Sequence, residues 1–285
     1  MRLYLLAFDH RTSFERMFGV PATRLADAKA LVYEGFLQAV EETVPRDAAG
    51  ILVDLEYGAH VARKARQASL TFAVPVERSG QAEFEFEDGD AFGEQIERVD
   101  PTFAKALVRY NPDGDSALNR RQAQRLRRLS DWLRERERKL MLELLVPLDD
   151  DQPADELEST LRPELMRAAI AELQDAGVEP DLWKIEGVTS REACSQIAAV
   201  ARRDGRADVR CLVLGRGAST GKVEEWLRAS AGVPGYVGFA IGRSIFERPL
   251  AGFLAGALGR TAAAAAVARN YRHFVEVYER ACVAA

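Results

Sequence analysis

Cysteine is scarce in this chain. Three residues, Cys194, Cys211 and Cys282, are an odd number without metal-ligand spacing, which excludes a disulfide framework and fits a reducing compartment. Histidine is equally rare. Only His10, His60 and His273 occur, and His273 falls in a terminal helical pattern, so a His-rich metal site is not supported and neither metal nor organic cofactor is expected. Long hydrophobic runs are missing. The opening MRLYLLAFDH meets an acid at Asp9 before a signal-peptide core could form, and no run approaches the ~20 residues of a membrane span. A soluble, cytoplasmic protein without a membrane partner is expected. An excess of positive charge is also absent. With 39 basic and 44 acidic residues the net charge is -5, so nucleic acid is not an expected partner. An anionic ligand would have to be met by a local cluster of cations. No linker rich in Pro, Gly or Ser divides the sequence, and one domain over 1–285 is expected.

What the chain does have is alternation. Eight short apolar runs read as strands buried on both faces: 3–8, 50–55, 69–76, 104–110, 140–146, 182–187, 209–215 and 236–242. Helical patterns lie between most of them, at 23–44, 117–138, 163–177, 190–205 and 220–232, and a further one closes the chain at 260–282. The third strand is followed by an acidic stretch, 77–100, which reads as a solvated loop with a short helix near 92–99. Strand–helix alternation implies a parallel sheet. Eight units in 285 residues favour a single closed (β/α)8 TIM barrel, and no GxGxxG turn after the first strand supports a dinucleotide-binding sheet.

In such a barrel, chemistry lies at the carboxyl ends of the strands. Lys184, inside LWKIEG, has two readings: a structural ion pair, with Glu186 as a candidate partner, or an amine nucleophile in a low-dielectric site. Lys105 and Glu143 lie in the two preceding strands, each among apolar neighbours. A second cation lowers the proton affinity of a lysine, and a carboxyl group within reach can shuttle protons. The alternative is a buried Lys–Glu–Lys network that fills space. Arg109 shares a face with Lys105, about 13 Å further up at ~3.3 Å per residue, and is either an anion ligand or a solvated arginine.

Asp9 and His10 end the first strand, where Asp9 is placed to orient a hydroxyl or carbonyl. Asp54 and Glu56 close the second strand as site carboxylates or loop supports. The last two strands end in LGRGAST and IGRSIF. Glycines there let backbone amides approach an anion, and arginines add cationic forks. Gly215, Arg216, Gly217, Ser219, Gly242 and Arg243 are the expected phosphate site, since barrels often bind phosphate after strands seven and eight.

Taken in order, LLAFDHR, ILVDLEYG, VPVERSG, KALVRYNPDGD, LELLVP, DLWKIEG, VLGRGAS and GFAIGRSIF resemble the class I aldolases related to tagatose 1,6-bisphosphate aldolase. They are closer still to the bacterial domain fused to the C-terminus of 5-dehydro-2-deoxygluconokinase in inositol catabolism. The resemblance covers nearly the whole chain. It implies a TIM barrel and metal-free Schiff-base chemistry on a phosphorylated ketose, with Lys184 forming the imine, Glu143 shuttling protons, Lys105 as the second lysine and Asp9 contacting substrate. His10, Arg109, Asp54 and Glu56 are the expected substrate-side residues. Two positions depart from the tagatose enzymes, which carry glutamine where His10 stands and tyrosine where Arg109 stands.

The resemblance thus implies a carbon–carbon lyase acting on a keto sugar phosphate or keto sugar acid, with 6-phospho-5-dehydro-2-deoxygluconate suited by Arg109. A transaldolase-type lyase and a non-catalytic sugar-phosphate-binding barrel that regulates a partner kinase are the alternatives. A homo-oligomer is compatible with the chain, whose sequence does not fix the oligomeric state.

Overall fold

The computed structural model describes residues 1–147 and 160–284. Its centre is a closed barrel of eight parallel strands in sequential order: β1 (Leu3–Ala7), β2 (Ala49–Leu52), β3 (Thr71–Pro75), β4 (Phe103–Arg109), β5 (Lys139–Leu145), β6 (Leu182–Glu186), β7 (Arg210–Leu214) and β8 (Tyr236–Ile241). The last strand pairs with the first, with Leu3 opposite Gly238, so no edge is left open. Around it run α1 (Thr12–Phe18), α2 (Ala22–Glu42), α3 (Ala59–Gln67), α4 (Phe92–Val99), α5 (Ser116–Arg134), α6 (Arg162–Asp175), α7 (Arg191–Ala201), α8 (Thr220–Ser230), α9 (Arg243–Leu254) and α10 (Arg260–Ala284). The architecture is a (β/α)8 TIM barrel.

Alternation along each strand sorts side chains into two cores. Leu5, Leu52, Ala73, Phe103, Met141, Leu182 and Leu212 fill the lower barrel interior. Their neighbours in sequence face the helices, as Leu6, Ile51, Phe72, Ala104, Leu142 and Trp183 do. Two residues further up from Phe103, Met141 and Leu182, the inward positions become Lys105, Glu143 and Lys184. The apolar plug below is therefore the floor of a polar upper chamber.

Three helices were not expected from the periodicity. Helix α3 buries only Val61, Ala62 and Ala65, so its apolar face is too small to stand out. Helix α9 carries Pro249 and Gly252 in its interior, which breaks the usual helical signature. Helix α1 is a seven-residue helix of about two turns after β1. The 77–100 stretch also differs from a solvated loop. Its first part forms a small hairpin in which Glu77 pairs with Phe86, and Phe84, Phe86 and Phe92 are buried, Phe84 edge-on to Phe86 and Phe86 stacked on Phe92. The short helix at its end is α4. No helix among the described residues is long and apolar enough to cross a membrane.

Candidate active site

The carboxyl ends of the strands open into a cavity of about 440 Å³. Asp9 and His10 reach it from β1, Glu77 and Gln81 from the hairpin after β3, Lys105 and Arg109 from β4, Glu143 from β5 and Lys184 from β6. Gly215, Arg216 and Gly217 follow β7, and Gly242 and Arg243 follow β8.

At its base lies a row of alternating charge. Lys184 Nζ donates to Glu143 Oε1 at 2.7 Å, and Lys105 Nζ lies 2.8 Å from Glu143 Oε2. Lys105 also donates to Asp9 Oδ2 at 2.9 Å and to Glu77 Oε1 at 2.7 Å. Lys184, Glu143, Lys105 and Glu77 are only 5%, 7%, 1% and 6% exposed. Lys184 therefore pairs with Glu143, not Glu186. Glu186 instead accepts from Val146 N, the Arg162 guanidinium and Arg216 Nε, and so ties the tops of β5, β6 and β7 together.

The buried groups differ in proton affinity. Burial works against the charge of Lys105, but Asp9, Glu143 and Glu77 outweigh it and hold the ammonium well above its ordinary range. Burial likewise works against Asp9 and Glu143, and there the charges of Lys105 and Lys184 win, so both carboxyls lie below the ordinary range. Glu77 goes the other way: burial dominates the pull of Lys105, and its carboxyl is raised. Burial also pushes the His10 imidazole down to about 4.

Six arginines, Arg11, Arg16, Arg78, Arg109, Arg216 and Arg243, line the cavity. With the two lysines they face Asp9, Glu77 and Glu143, while Arg11, Arg78 and Arg216 also pair with Glu87, Glu85 and Glu186 outside the lining, which leaves a modest local cationic excess on a chain of net charge -5. In a closed ring of eight, β3 and β4 stand diametrically opposite β7 and β8. Arg78 and Arg109 thus occupy one rim, Arg216 and Arg243 the other. The second rim depends on glycine. A Cβ on Gly217, at φ +74°, would lie 2.3 Å from the Arg243 guanidinium carbon, and one on Gly242 would lie 2.0 Å from the Ala7 carbonyl oxygen. The backbone of Gly217 is the shelf on which Arg243 rests.

Not every expected residue reaches the cavity. Asp54 is fully buried outside the barrel, where its carboxylate accepts from Lys29 Nζ and from the Tyr57 amide. The chain turns away from the barrel axis directly after β2, and this carries Asp54 to the helix layer. Glu56 is exposed on that turn and does not line the cavity. Ser219 is exposed and caps α8 by accepting from Lys222 N; it lines a neighbouring groove rather than the cavity itself.

Other residues were missed. Glu77 follows β3 two positions beyond Pro75 and four beyond Ala73, so the inward alternation of that strand points to it. Arg11 holds it in place, donating to the Glu77 carbonyl at 2.6 Å and to the Glu87 carboxylate at 3.0 Å. Lys29, on α2, had no sequence signal because it reaches the site through backbone. Its ammonium donates to the carbonyls of Phe8 at 2.7 Å and His10 at 2.8 Å, on either side of Asp9. Among the described residues no group of histidine, cysteine and acidic side chains is arranged to hold a metal ion.

Residues 1–282 match the protein family described as "Uncharacterized protein conserved in bacteria (DUF2090)". No curated protein matches the sequence. Among solved structures, fructose-bisphosphate aldolase from Plasmodium falciparum, in complex with TRAP and a small-molecule inhibitor, superposes with a TM-score of 0.72 at 14% identity, over 96% of this chain and 90% of that one. An archaeal fructose-1,6-bisphosphate aldolase, with its catalytic lysine covalently bound to the carbinolamine intermediate of the substrate, gives 0.61 at 16% identity, over 97% and 94%. A Schiff-base-forming fructose-1,6-bisphosphate aldolase gives 0.61 at 14%, again over 97% and 94%. At these identities the likeness is one of fold. The family match, which spans nearly the whole chain, means that the protein belongs to DUF2090.

Proposed function

We propose that this DUF2090 protein is a class I aldolase, a carbon–carbon lyase that forms a Schiff base with a phosphorylated keto sugar or keto sugar acid. The observation that carries the reading is the Lys184–Glu143 contact of 2.7 Å, buried at the floor of an arginine-rimmed cavity with Lys105 behind it. The archaeal neighbour, whose catalytic lysine is covalently bound to its substrate, supports it as an example of the same scaffold hosting this chemistry.

In this reading Lys184 loses its proton to Glu143 and attacks the substrate ketone. Glu143 then returns a proton to the carbinolamine hydroxyl, water departs and an iminium forms. Lys105 remains charged and holds Glu143 and Asp9 in place. Breaking the carbon–carbon bond sends its electron pair into the iminium and releases an aldehyde. The remaining enamine is protonated, and hydrolysis frees the ketone product and Lys184.

The rims narrow the substrate. Arg216 and Arg243, beside Gly215, Gly217 and Gly242, suit a phosphate. Arg78 and Arg109 on the opposite side suit a second anion. 6-Phospho-5-dehydro-2-deoxygluconate carries a phosphate at one end and a carboxylate at the other. Its cleavage gives dihydroxyacetone phosphate and malonate semialdehyde, which would place the protein in inositol catabolism.

The test is reductive trapping. Borohydride added with 6-phospho-5-dehydro-2-deoxygluconate, fructose 1,6-bisphosphate or tagatose 1,6-bisphosphate is expected to leave a covalent adduct on Lys184, located by mass spectrometry, and Lys184→Ala is expected to lose both adduct and turnover. Retro-aldol activity retained in that variant overturns the imine. Thermal stabilisation by these ligands without adduct or turnover instead means a binding barrel. Turnover that requires an added acceptor aldehyde means a transaldolase.

A further inference from the structure

Glu77, whose side chain lines the cavity, has one oxygen to spare: its Oε1 accepts from Lys105 at 2.7 Å, while its Oε2 is buried and has no hydrogen-bond partner. Its backbone is fixed by Arg11, which grips the Glu77 carbonyl, and by the pairing with Phe86 across the hairpin, and its carboxylate is held by Lys105. A buried acceptor without a partner costs about 1–3 kcal/mol, a cost usually met by water or a ligand. Two further unpartnered buried polar atoms belong to side chains that line the cavity, Gln81 Nε2 from the same hairpin and His10 Nδ1 from the end of β1. The cavity lining therefore holds unsatisfied hydrogen-bonding groups that suit a polyhydroxylated ligand.

The other two carboxylates of the cavity are otherwise engaged. Glu143 spends both oxygens on lysines, and Asp9 is held to Lys105. We propose that Glu77 is a second catalytic carboxylate, which takes the proton of the substrate hydroxyl on the carbon beyond the bond that breaks, while Glu143 serves the imine at Lys184. The inference rests on the aldolase reading and divides its proton transfers between two groups.

The step balances. The hydroxyl proton moves to Glu77 Oε2, and the oxygen keeps its electrons and closes a carbonyl. The carbon–carbon bond breaks, and its electron pair neutralises the iminium to give the enamine. Glu77 then returns its proton to solvent once the aldehyde has left. The divergent environments fit this division. Burial raises the Glu77 carboxyl, which makes it a stronger base than Asp9 or Glu143, both held low by the lysines.

The experiment separates imine formation from cleavage in Glu77→Gln, which keeps a side-chain oxygen for Lys105. Dihydroxyacetone phosphate with borohydride reads the first; cleavage of the three-member ketose phosphate panel reads the second. Trapping on Lys184 within about threefold of wild type, with cleavage at least ~100-fold slower, is the expected result. Cleavage within tenfold of wild type overturns the proposal, as does parallel loss of trapping and cleavage in a folded variant, or a wild type that traps but cleaves no panel member. A wild type that traps nothing overturns the aldolase reading first. Should Glu77→Gln fail to fold, Glu77→Asp, which withdraws the carboxylate by one methylene, is read the same way.

Discussion

His10 and Asp9 are adjacent in sequence and respond oppositely to the same cavity. The cations around Asp9 favour its charged form, while burial pushes His10 down to about 4 and disfavours its charge. The sign follows from proton counts. Above pH ~6.5 His10 is neutral whether folded or unfolded and contributes nothing. Between ~6.5 and about 4 the unfolded chain holds the extra proton, so stability falls as pH falls through that window. The full effect is on the order of 3 kcal/mol. Urea unfolding of His10→Gln is therefore expected to lack a component of the decline that wild type shows between pH 6.5 and 4. Parallel profiles for the two proteins would contradict it. Residues at this scale were unevenly legible. Lys105, Glu143 and Lys184 stand out because each is an ionisable side chain inside an apolar run. Glu77 does not, because it opens an acidic stretch and looks like its solvated neighbours. Only the inward alternation of β3 distinguishes it.

At the scale of elements, β1 ends where α2 holds it. Lys29, fully buried, takes the carbonyls of Phe8 and His10 and the Asp54 carboxylate as partners, joining α2 to the ends of β1 and β2. Removing one member of a buried ion pair typically costs ~3–5 kcal/mol, because the other charge is left unpaired. Lys29→Met is expected to lose about that much in denaturant unfolding, and Lys29→Met with Asp54→Leu to regain a large part. A double variant no more stable than the single one would refute the charge-pair account. Asp54 looked like a candidate site carboxylate because it closes an apolar strand; only the turn after β2 decides that it faces α2 instead. Similarly, α9 was hidden by Pro249 and Gly252, although it positions Arg243 at its first turn. Periodicity reports a helix's apolar stripe, and it fails where the stripe is interrupted.

For the whole molecule, the barrel was legible from eight near-continuous apolar runs separated by helical patterns. Being buried on both faces is what makes such strands readable. Charge distribution was less so: the chain is acidic overall, yet six arginines converge on one end. They come from the ends of five strands, β1, β3, β4, β7 and β8, and only closure of the ring brings them together. If a ketose phosphate is cleaved as proposed, its KM is expected to rise roughly three- to tenfold between ~0.02 and ~0.5 M NaCl with kcat little changed, as screening weakens attraction to the rim. A KM indifferent to salt would argue against an electrostatic funnel.

The placement of Arg78 and Arg109 across the barrel from Arg216 and Arg243 bears on how a reaction cycle ends. A substrate with an anion at each end is gripped twice, and its tether makes the second grip nearly free of entropic cost. Cleavage between the ends cuts that tether. Each fragment then keeps a single anchor and must hold on independently, at the far weaker affinity of one contact. The proposed reaction would loosen its own products: catalysis itself would act as the release.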